Sequence, residues 1–218
     1  QIKMISKKIF SEFVGTLSLL MVIVGSGIMG ENLSNGNAGI ALLANSIATG
    51  AGLFVLITLL INISGAHFNP VVSFVSWANK EIEIFQLLQY WIGQFSGAIL
   101  GVYLAHYIFD ISIIQTSTKF RGGINLWMSE VVGTLILLSV IKIGSQNKDK
   151  IAILVALTIT AGYWFTASTF FVNPAVTVAR SLTNTFSGIE PSNIITFISA
   201  QVFATILFLF ISKKIKYI

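Results

Sequence analysis

The chain has 218 residues, of which 55% are hydrophobic and only 10% are charged, and its formal net charge is +5. Because soluble proteins carry about 25% charged residues, this composition excludes an ordinary soluble domain and indicates a membrane protein. The basic residues cluster at the ends of apolar runs, which argues against a nucleic-acid-binding surface, and the absence of cysteine excludes a disulfide and a thiolate metal site.

Three long apolar runs occupy the first half of the chain, and a shorter one lies between the second and the third. A membrane-spanning helix needs about 20 mostly apolar residues, which predicts spans at 9–29, 40–63 and 85–107. The shorter run, 69–78, begins with Asn69 and Pro70. Asparagine is a favourable N-cap and proline suits the first turn of a helix, so this run is predicted to be a half-helix.

The second half of the chain follows the same plan. Three more spans are predicted at 126–143, 151–168 and 194–211, and a second half-helix at 173–184, which begins with Asn173 and Pro174. Irregular backbone at bilayer depth is tolerated only where protein buries it or where it lines a wet cavity. Two half-helix starts in corresponding positions therefore indicate a transport site between inverted repeats.

Matching segments in the same order indicate an internal duplication. Ser-Glu-Phe-Val-Gly-Thr-Leu around Glu12 corresponds to Ser-Glu-Val-Val-Gly-Thr-Leu around Glu130. We interpret residues 1–218 as a single membrane domain with repeats at about 9–107 and 126–212. Each repeat has three spans, so the two repeats must lie in opposite orientations.

The basic residues predict which side of the membrane the termini occupy, because cytoplasmic loops carry an excess of lysine and arginine. If both termini are cytoplasmic, the outer side holds Lys119, Arg121 and Arg180. The inner side then holds the other ten basic residues: Lys3, Lys7, Lys8, Lys80, Lys142, Lys148, Lys150, Lys213, Lys214 and Lys216. This excess predicts cytoplasmic termini. No cleavable signal pattern precedes the first span, and the short loops and high isoleucine and lysine content favour a bacterial inner membrane.

The motif Ser-Gly-Ala-His-Phe-Asn-Pro at 64–70, with Asn-Pro-Ala one repeat later, resembles the aquaporin (major intrinsic protein) family. The resemblance covers essentially the whole chain. It implies an all-α membrane protein in which six transmembrane helices and two half-helices form a right-handed bundle, and a homotetramer with one pore per subunit. The residues that correspond to the two pore motifs are Asn69, Pro70, Val71, Asn173, Pro174 and Ala175.

The physics of helix ends explains why such motifs suit a pore. Two helix N-termini that face each other place about half a positive charge each at the pore centre. Asn69 and Asn173 are expected to cap these ends and to point amide N–H groups into the lumen. The oxygen of a passing solute can accept these hydrogen bonds, whereas a cation meets an electrostatic barrier.

The outer constriction departs from the common pattern of the family. Most members have an arginine after the second motif, but this chain has Val176. Counting back from the motifs places Thr49 and Phe170 at two other constriction positions. The position in the fifth span is Ala161 or Tyr163, depending on the alignment. These residues predict a wider and less polar ring than that of a water-specific channel, unless Tyr163 fills it.

Arg180 lies four residues beyond Val176 and therefore on the same helical face, about one turn outward. Its guanidinium is a candidate to reach back toward the constriction and partly replace the missing arginine. The alternative is a salt bridge or a carbonyl contact in the outer vestibule.

Several polar residues inside the predicted spans need an explanation. An acid within the membrane suggests a functional site, which would make a proton-coupled carrier possible. The resemblance instead implies that Glu12 and Glu130 support the loops before the half-helices. It also places His67 in the inner half of the pore. His106 is expected at the membrane interface.

We therefore predict a passive channel for small uncharged solutes, namely water, glycerol-like polyols, urea and neutral arsenite or other metalloid hydroxides. The alternatives are a water-selective aquaporin, a proton-coupled carrier that uses Glu12 and Glu130, and a scaffold with a closed pore. We find no arrangement of catalytic residues and expect neither enzyme activity nor a cofactor, a metal or a nucleic-acid partner. The expected partners are the solutes, the lipid bilayer and further copies of the chain.

Overall fold

The computed structural model describes the backbone of residues 2–214 and, apart from residues 2–6 and 148–149, their side chains. Within this part the chain forms eight α-helices and one short 3₁₀ turn at Pro191–Asn193, and it contains no strand. The side chains of Lys3, Lys148 and Lys216, which entered the charge count, lie outside the described residues, as do both ends of the domain at 1–218.

The eight helices correspond to the six predicted spans and the two predicted half-helices, which confirms the predicted fold class. In chain order they are α1 Ile2–Leu33, α2 Ala38–Ser64, α3 Pro70–Ala78, α4 Ile84–Ile108, α5 Ile124–Gly144, α6 Lys148–Phe165, α7 Pro174–Arg180 and α8 Ile194–Lys214. The half-helices are α3 and α7. By length and composition, four described segments can cross a membrane: Lys7–Leu33, Ala38–Ser64, Ile124–Gly144 and Pro191–Lys214.

The first span was predicted at 9–29, whereas α1 is longer at both ends, and two other helices end earlier than predicted. The second half-helix was predicted to reach residue 184 but ends at Arg180, because the N–H groups of Ser181 and Leu182 bond back three residues and tighten the last turn. The fifth span was predicted to reach residue 168 but ends at Phe165. The backbone then adopts positive φ angles at Thr169 and Phe170, which turn the chain back into the bundle.

Glycines allow α4 to approach α1 closely. A Cβ atom at Gly97 would overlap the carbonyl oxygen of Phe13, and one at Gly101 would overlap that of Leu17. Small residues at such positions let helix backbones meet, which is how membrane helices gain packing without a hydrophobic driving force between them. In the second half, α5 packs on α8 and α6, and α2 contacts α6 across the bundle.

The segments that precede the two half-helices are irregular and strained. Positive φ angles occur at Ala66 and Phe68 before α3, and at Thr169, Phe170 and Val172 before α7. Such angles are uncommon for bulky residues and cost on the order of 1–3 kcal/mol each, so surrounding contacts must hold them. These contacts define the candidate site.

Candidate conduction pathway

Each half-helix begins with an asparagine cap followed by proline. The Asn69 side-chain oxygen accepts a hydrogen bond from the Val71 N–H at 3.1 Å. The Asn173 oxygen accepts from the N–H groups of Ala175 and Val176 at 3.0 and 3.2 Å. Both asparagines have extended backbone angles, as expected of N-caps.

The two caps also bond reciprocally across the centre of the bundle. Asn69 Nδ2 donates to the carbonyl oxygen of Val172, and Asn173 Nδ2 donates to that of Phe68, both at 2.8 Å. An amide nitrogen carries two hydrogens, so each asparagine ties its half-helix to the opposite loop and keeps one N–H free. The sequence analysis expected free N–H groups but did not foresee these crossed bonds.

Buried carboxylates hold the strained loops. Glu12 is fully buried and accepts four hydrogen bonds, from the hydroxyl of Ser64, the backbone N–H groups of His67 and Phe68, and the amide of Gln94. The distances lie between 2.6 and 3.0 Å. The carboxylate thus provides hydrogen-bond acceptors for backbone N–H groups that would have no partner in the lipid.

Glu130 repeats this arrangement in the second half. It is fully buried and accepts from the N–H groups of Phe171 and Val172 at 3.0 and 2.8 Å and from Gln201 at 2.7 Å. Gln201 also donates to the hydroxyl of Thr177 at 3.0 Å, just as Gln94 donates to Ser73 at 2.8 Å. The two glutamates therefore have matching surroundings.

A continuous cavity of about 420 Å³ passes both asparagines. Its wall is mostly apolar, with side chains such as Leu53, Ile57 and Val155. One end of the lining includes Ser76, Asn79, Glu81 and Lys142, and the other includes Thr49, Tyr163, Val176 and Arg180. The remaining motif residues are buried in the half-helices outside this lining: Pro70, Val71, Pro174 and Ala175.

Four of the expected constriction residues line the cavity together: Thr49, Tyr163, Phe170 and Val176. The hydroxyl oxygens of Thr49 and Tyr163 are 3.2 Å apart, so they form a hydrogen bond between the packed helices α2 and α6. Ala161, the other alternative for this position, is exposed on the outer side of α6 and is not part of the lining. With 3.6 residues per turn, residues 161 and 163 point to nearly opposite sides of the helix.

We expect Tyr163→Ala to raise the permeability of the four-carbon polyol erythritol several-fold, because it removes the ring and the hydroxyl that meets Thr49. Stopped-flow light scattering on proteoliposomes measures this permeability. Ala161→Ser is the matched control on the exposed side of α6 and should behave as the parent. Unchanged erythritol permeability in Tyr163→Ala would show that this side chain does not limit the pathway.

Arg180 lies beside the constriction. Its side chain is only 2% exposed, its Nε donates to the carbonyl oxygen of Ser187, and its guanidinium carbon lies 3.5 Å from the centroid of the Phe171 ring. The expected carbonyl contact is therefore present, and the guanidinium also lines the same cavity as Val176. No salt bridge to Arg180 occurs among the described residues.

The two histidines have different surroundings. His67 lines the cavity, and its Nδ1 lies 3.0 Å from the hydroxyl of Ser73. His106 lies two residues before the end of α4, and its side chain is fully buried within the protein. Its Nδ1 bonds the carbonyl oxygen of Ile113 and its Nε2 bonds the hydroxyl of Thr183, both at 2.7 Å. That His106 lies at the depth of the membrane interface stays a prediction.

The sequence analysis did not foresee that the loop after α4 is bonded to the loop after α7. Lys119 Nζ donates to the carbonyl oxygen of Phe186 at 2.6 Å, and Arg121 Nε donates to that of Gly188 at 2.8 Å. Partial burial, together with the charges of Arg121 and Arg180, lowers the pKa of Lys119 to about 8. In the sequence, the positive charges of Lys119 and Arg121 were the one feature that drew attention to this loop.

Comparison with known proteins identifies the family. A family model described as Major intrinsic protein matches residues 1–160, which is more than half of the chain. The chain belongs to the major intrinsic protein family. This membership confirms the resemblance and supports the predicted function of a passive channel.

Other members of the major intrinsic protein family match to different extents. The aquaglyceroporin AqpS of Rhizobium meliloti is 44% identical over 203 residues, covering 93% of this chain and 87% of that protein. The probable aquaporin TIP1-1 of Oryza sativa is 32% identical over 128 residues, covering 58% of this chain and 50% of the relative. The aquaglyceroporin structure from Plasmodium falciparum aligns with a TM-score of 0.71 at 19% identity, covering 94% of this chain and 95% of that one.

Proposed function

We propose that the chain is a passive channel that conducts water and glycerol-like polyols through the cavity between its half-helices. The observation that carries this proposal is the pair of reciprocally bonded asparagine caps at the centre of a 420 Å³ cavity. The family membership and the 44% identity to a protein named aquaglyceroporin support it.

The asparagines provide the polar contacts at the centre of the pathway. Asn69 and Asn173 each keep one amide N–H that is not used in the crossed bonds. A hydroxyl oxygen can accept from these groups, while the surrounding apolar wall offers few other partners. The two helix N-termini add partial positive charge, which raises the energy of a cation at this point.

The residues of the constriction favour the conduction of polyols as well as water, rather than of water alone. Val176 places an isopropyl group where most members of the family have an arginine, and Phe170 adds an aromatic wall. The hydroxyls of Thr49 and Tyr163 can exchange their mutual bond for bonds to a solute hydroxyl. Glycerol, urea and neutral arsenite or another metalloid hydroxide are the candidate solutes. A water-selective pore remains the alternative if Tyr163 keeps the ring closed.

The environment of the buried acids argues against a proton-coupled carrier. Neither Glu12 nor Glu130 lines the cavity, and the donors around each carboxylate are groups that the strained loops need. We assign both a structural role. His67 and Arg180 are assigned to the inner and outer parts of the pathway.

The remaining assignments follow from the same proposal. Residues 1–218 form one channel unit, built from the inverted repeats at about 9–107 and 126–212. The channel is a homotetramer in a bacterial inner membrane, has both termini in the cytoplasm and has no enzyme activity.

Solute flux into proteoliposomes tests this function. We expect water and glycerol fluxes that depend weakly on temperature, do not saturate over the accessible gradients and do not respond to an imposed pH gradient. Urea and arsenite run in parallel define the range of solutes. Saturable transport that follows the pH gradient would indicate a carrier, flux of water alone would indicate the water-selective alternative, and no flux would indicate a closed scaffold.

A further inference from the structure

Arg180 is a buried cation without an anionic partner among the described residues. Its side chain is 98% buried within the protein, yet no carboxylate of the described side chains lies within ion-pair distance. Taking a charge out of water is costly unless a counter-charge and hydrogen bonds compensate it. The carbonyl oxygen of Ser187 and the face of the Phe171 ring provide only part of that compensation.

Arg180 lines the cavity and has hydrogen-bond donors that no acceptor among the described residues uses. Only Nε has a hydrogen-bond acceptor among the described residues, so the two terminal Nη groups have none. The side chain forms part of the cavity wall together with Thr49, Tyr163 and Val176. The hydroxyls of Thr49 and Tyr163 bond each other at the same end of the cavity, which leaves one of their two O–H groups to donate to a bound ligand.

The surroundings add positive charge. The Arg121 guanidinium lies 5.2 Å from the centroid of the same Phe171 ring, and Lys119 is bonded to the neighbouring loop. The described acids near this end do not pair with Arg180: Glu130 accepts from the loop before α7, and Glu31 accepts from the Phe186 N–H at 3.2 Å. Glu190 follows Ile189, whose N–H bonds the carbonyl oxygen of Arg180, but forms no ion pair with the guanidinium. The outer end of the cavity therefore presents a desolvated guanidinium that has no ion-pair partner among the described residues.

We propose that Arg180 forms a binding site for a small monovalent oxyanion, with a carboxylate as the simplest ligand. The guanidinium fork matches two carboxylate oxygens and forms charge-assisted hydrogen bonds with them. An anion held at this position obstructs the pathway and slows neutral solutes. This second consequence rests on the proposed channel function, whereas the binding itself does not.

Thermal unfolding of the purified protein in detergent tests the binding directly. Sodium formate is the probe, and sodium chloride at the same ionic strength is the reference. We expect formate to raise the unfolding midpoint of the parent in a saturable manner, because a ligand that binds only the folded state stabilises it. Arg180→Lys keeps the charge but loses the fork and should weaken formate binding about tenfold.

Lys119→Gln is the matched control, because it removes one positive charge from the same end of the molecule and leaves Arg180 in place. It should retain most of the formate effect, whereas Arg180→Gln should abolish it. An equal loss in both variants would show that formate responds only to diffuse surface charge, which would overturn the proposal. If Arg180→Gln does not fold, the comparison of Arg180→Lys with Lys119→Gln decides the result.

Glycerol flux in proteoliposomes tests the obstruction. We expect formate to slow glycerol flux in the parent with the same concentration dependence as the midpoint shift, and to have little effect in Arg180→Lys. If formate raises the midpoint through Arg180 but the parent conducts no solute, the proposed function fails while the anion site stands. If glycerol passes and formate changes neither quantity, the anion site is wrong while the channel stands.

Discussion

Val176→Arg should abolish most glycerol conduction while water conduction remains. Val176 is 3% exposed and lines the cavity beside Tyr163 and Phe170, so an arginine there must extend into the pathway. Its guanidinium would meet the hydroxyls of Thr49 and Tyr163 and narrow the ring. It would also add positive charge close to Arg180. Stopped-flow light scattering with paired water and glycerol gradients measures the change in selectivity.

Val176→Met is the control for this experiment, because it adds length and volume without charge or donors. It should lower glycerol conduction less than the arginine does. If Val176→Arg conducts glycerol as well as the parent, residue 176 does not form the limiting ring. If both variants block water as well, the effect is simple obstruction and carries no information on hydrogen bonding.

Glu12→Ala should destabilise the folded protein by at least about 3 kcal/mol. The substitution leaves two backbone N–H groups, at His67 and Phe68, without the buried carboxylate that accepts from them. It also releases Ser64 and Gln94, so the strained loop before α3 loses its support. The yield of folded protein and the thermal unfolding midpoint in detergent measure this effect.

Glu83→Ala is the matched control, since Glu83 is exposed at the start of α4 and its side chain makes no capping hydrogen bond. It should fold as the parent does. A Glu12→Ala protein with the stability of the parent and a loss of pH-driven transport would contradict the structural role and favour a proton-coupled carrier.

The family and the order of helices could be predicted because hydrophobic runs and the two Asn-Pro motifs are local signals. The end of α6 was less predictable, because it depends on how the chain turns back into the bundle at Thr169 and Phe170. The end of α7 depends on the bonds that Ser181 and Leu182 make to its last turn. The choice between Ala161 and Tyr163 required the rotation of α6 about its axis, which the sequence alone does not determine.

The contacts that the sequence did not reveal join residues far apart in the chain. The position of His106 at the end of a predicted span did not reveal its bonds to Ile113 and Thr183. The position of Arg180 against Phe171 likewise depends on the path of the loop that contains Ser187. Helical spacing could place Arg180 near Val176, but it could not show that no described carboxylate pairs with the guanidinium.

The crossed asparagine bonds impose a waiting time during biosynthesis. Asn69 donates to the carbonyl oxygen of Val172, which lies 103 residues further along the chain. At the usual rate of translation, about 5–20 residues per second, the partner of Asn69 is made roughly 5–20 s after Asn69 itself. An unpaired amide in hydrocarbon is costly, so the first re-entrant loop must stay near water or in a protein-lined site of the insertion machinery during that interval. The first half of the pathway therefore reaches its final structure only after the second half has been synthesised.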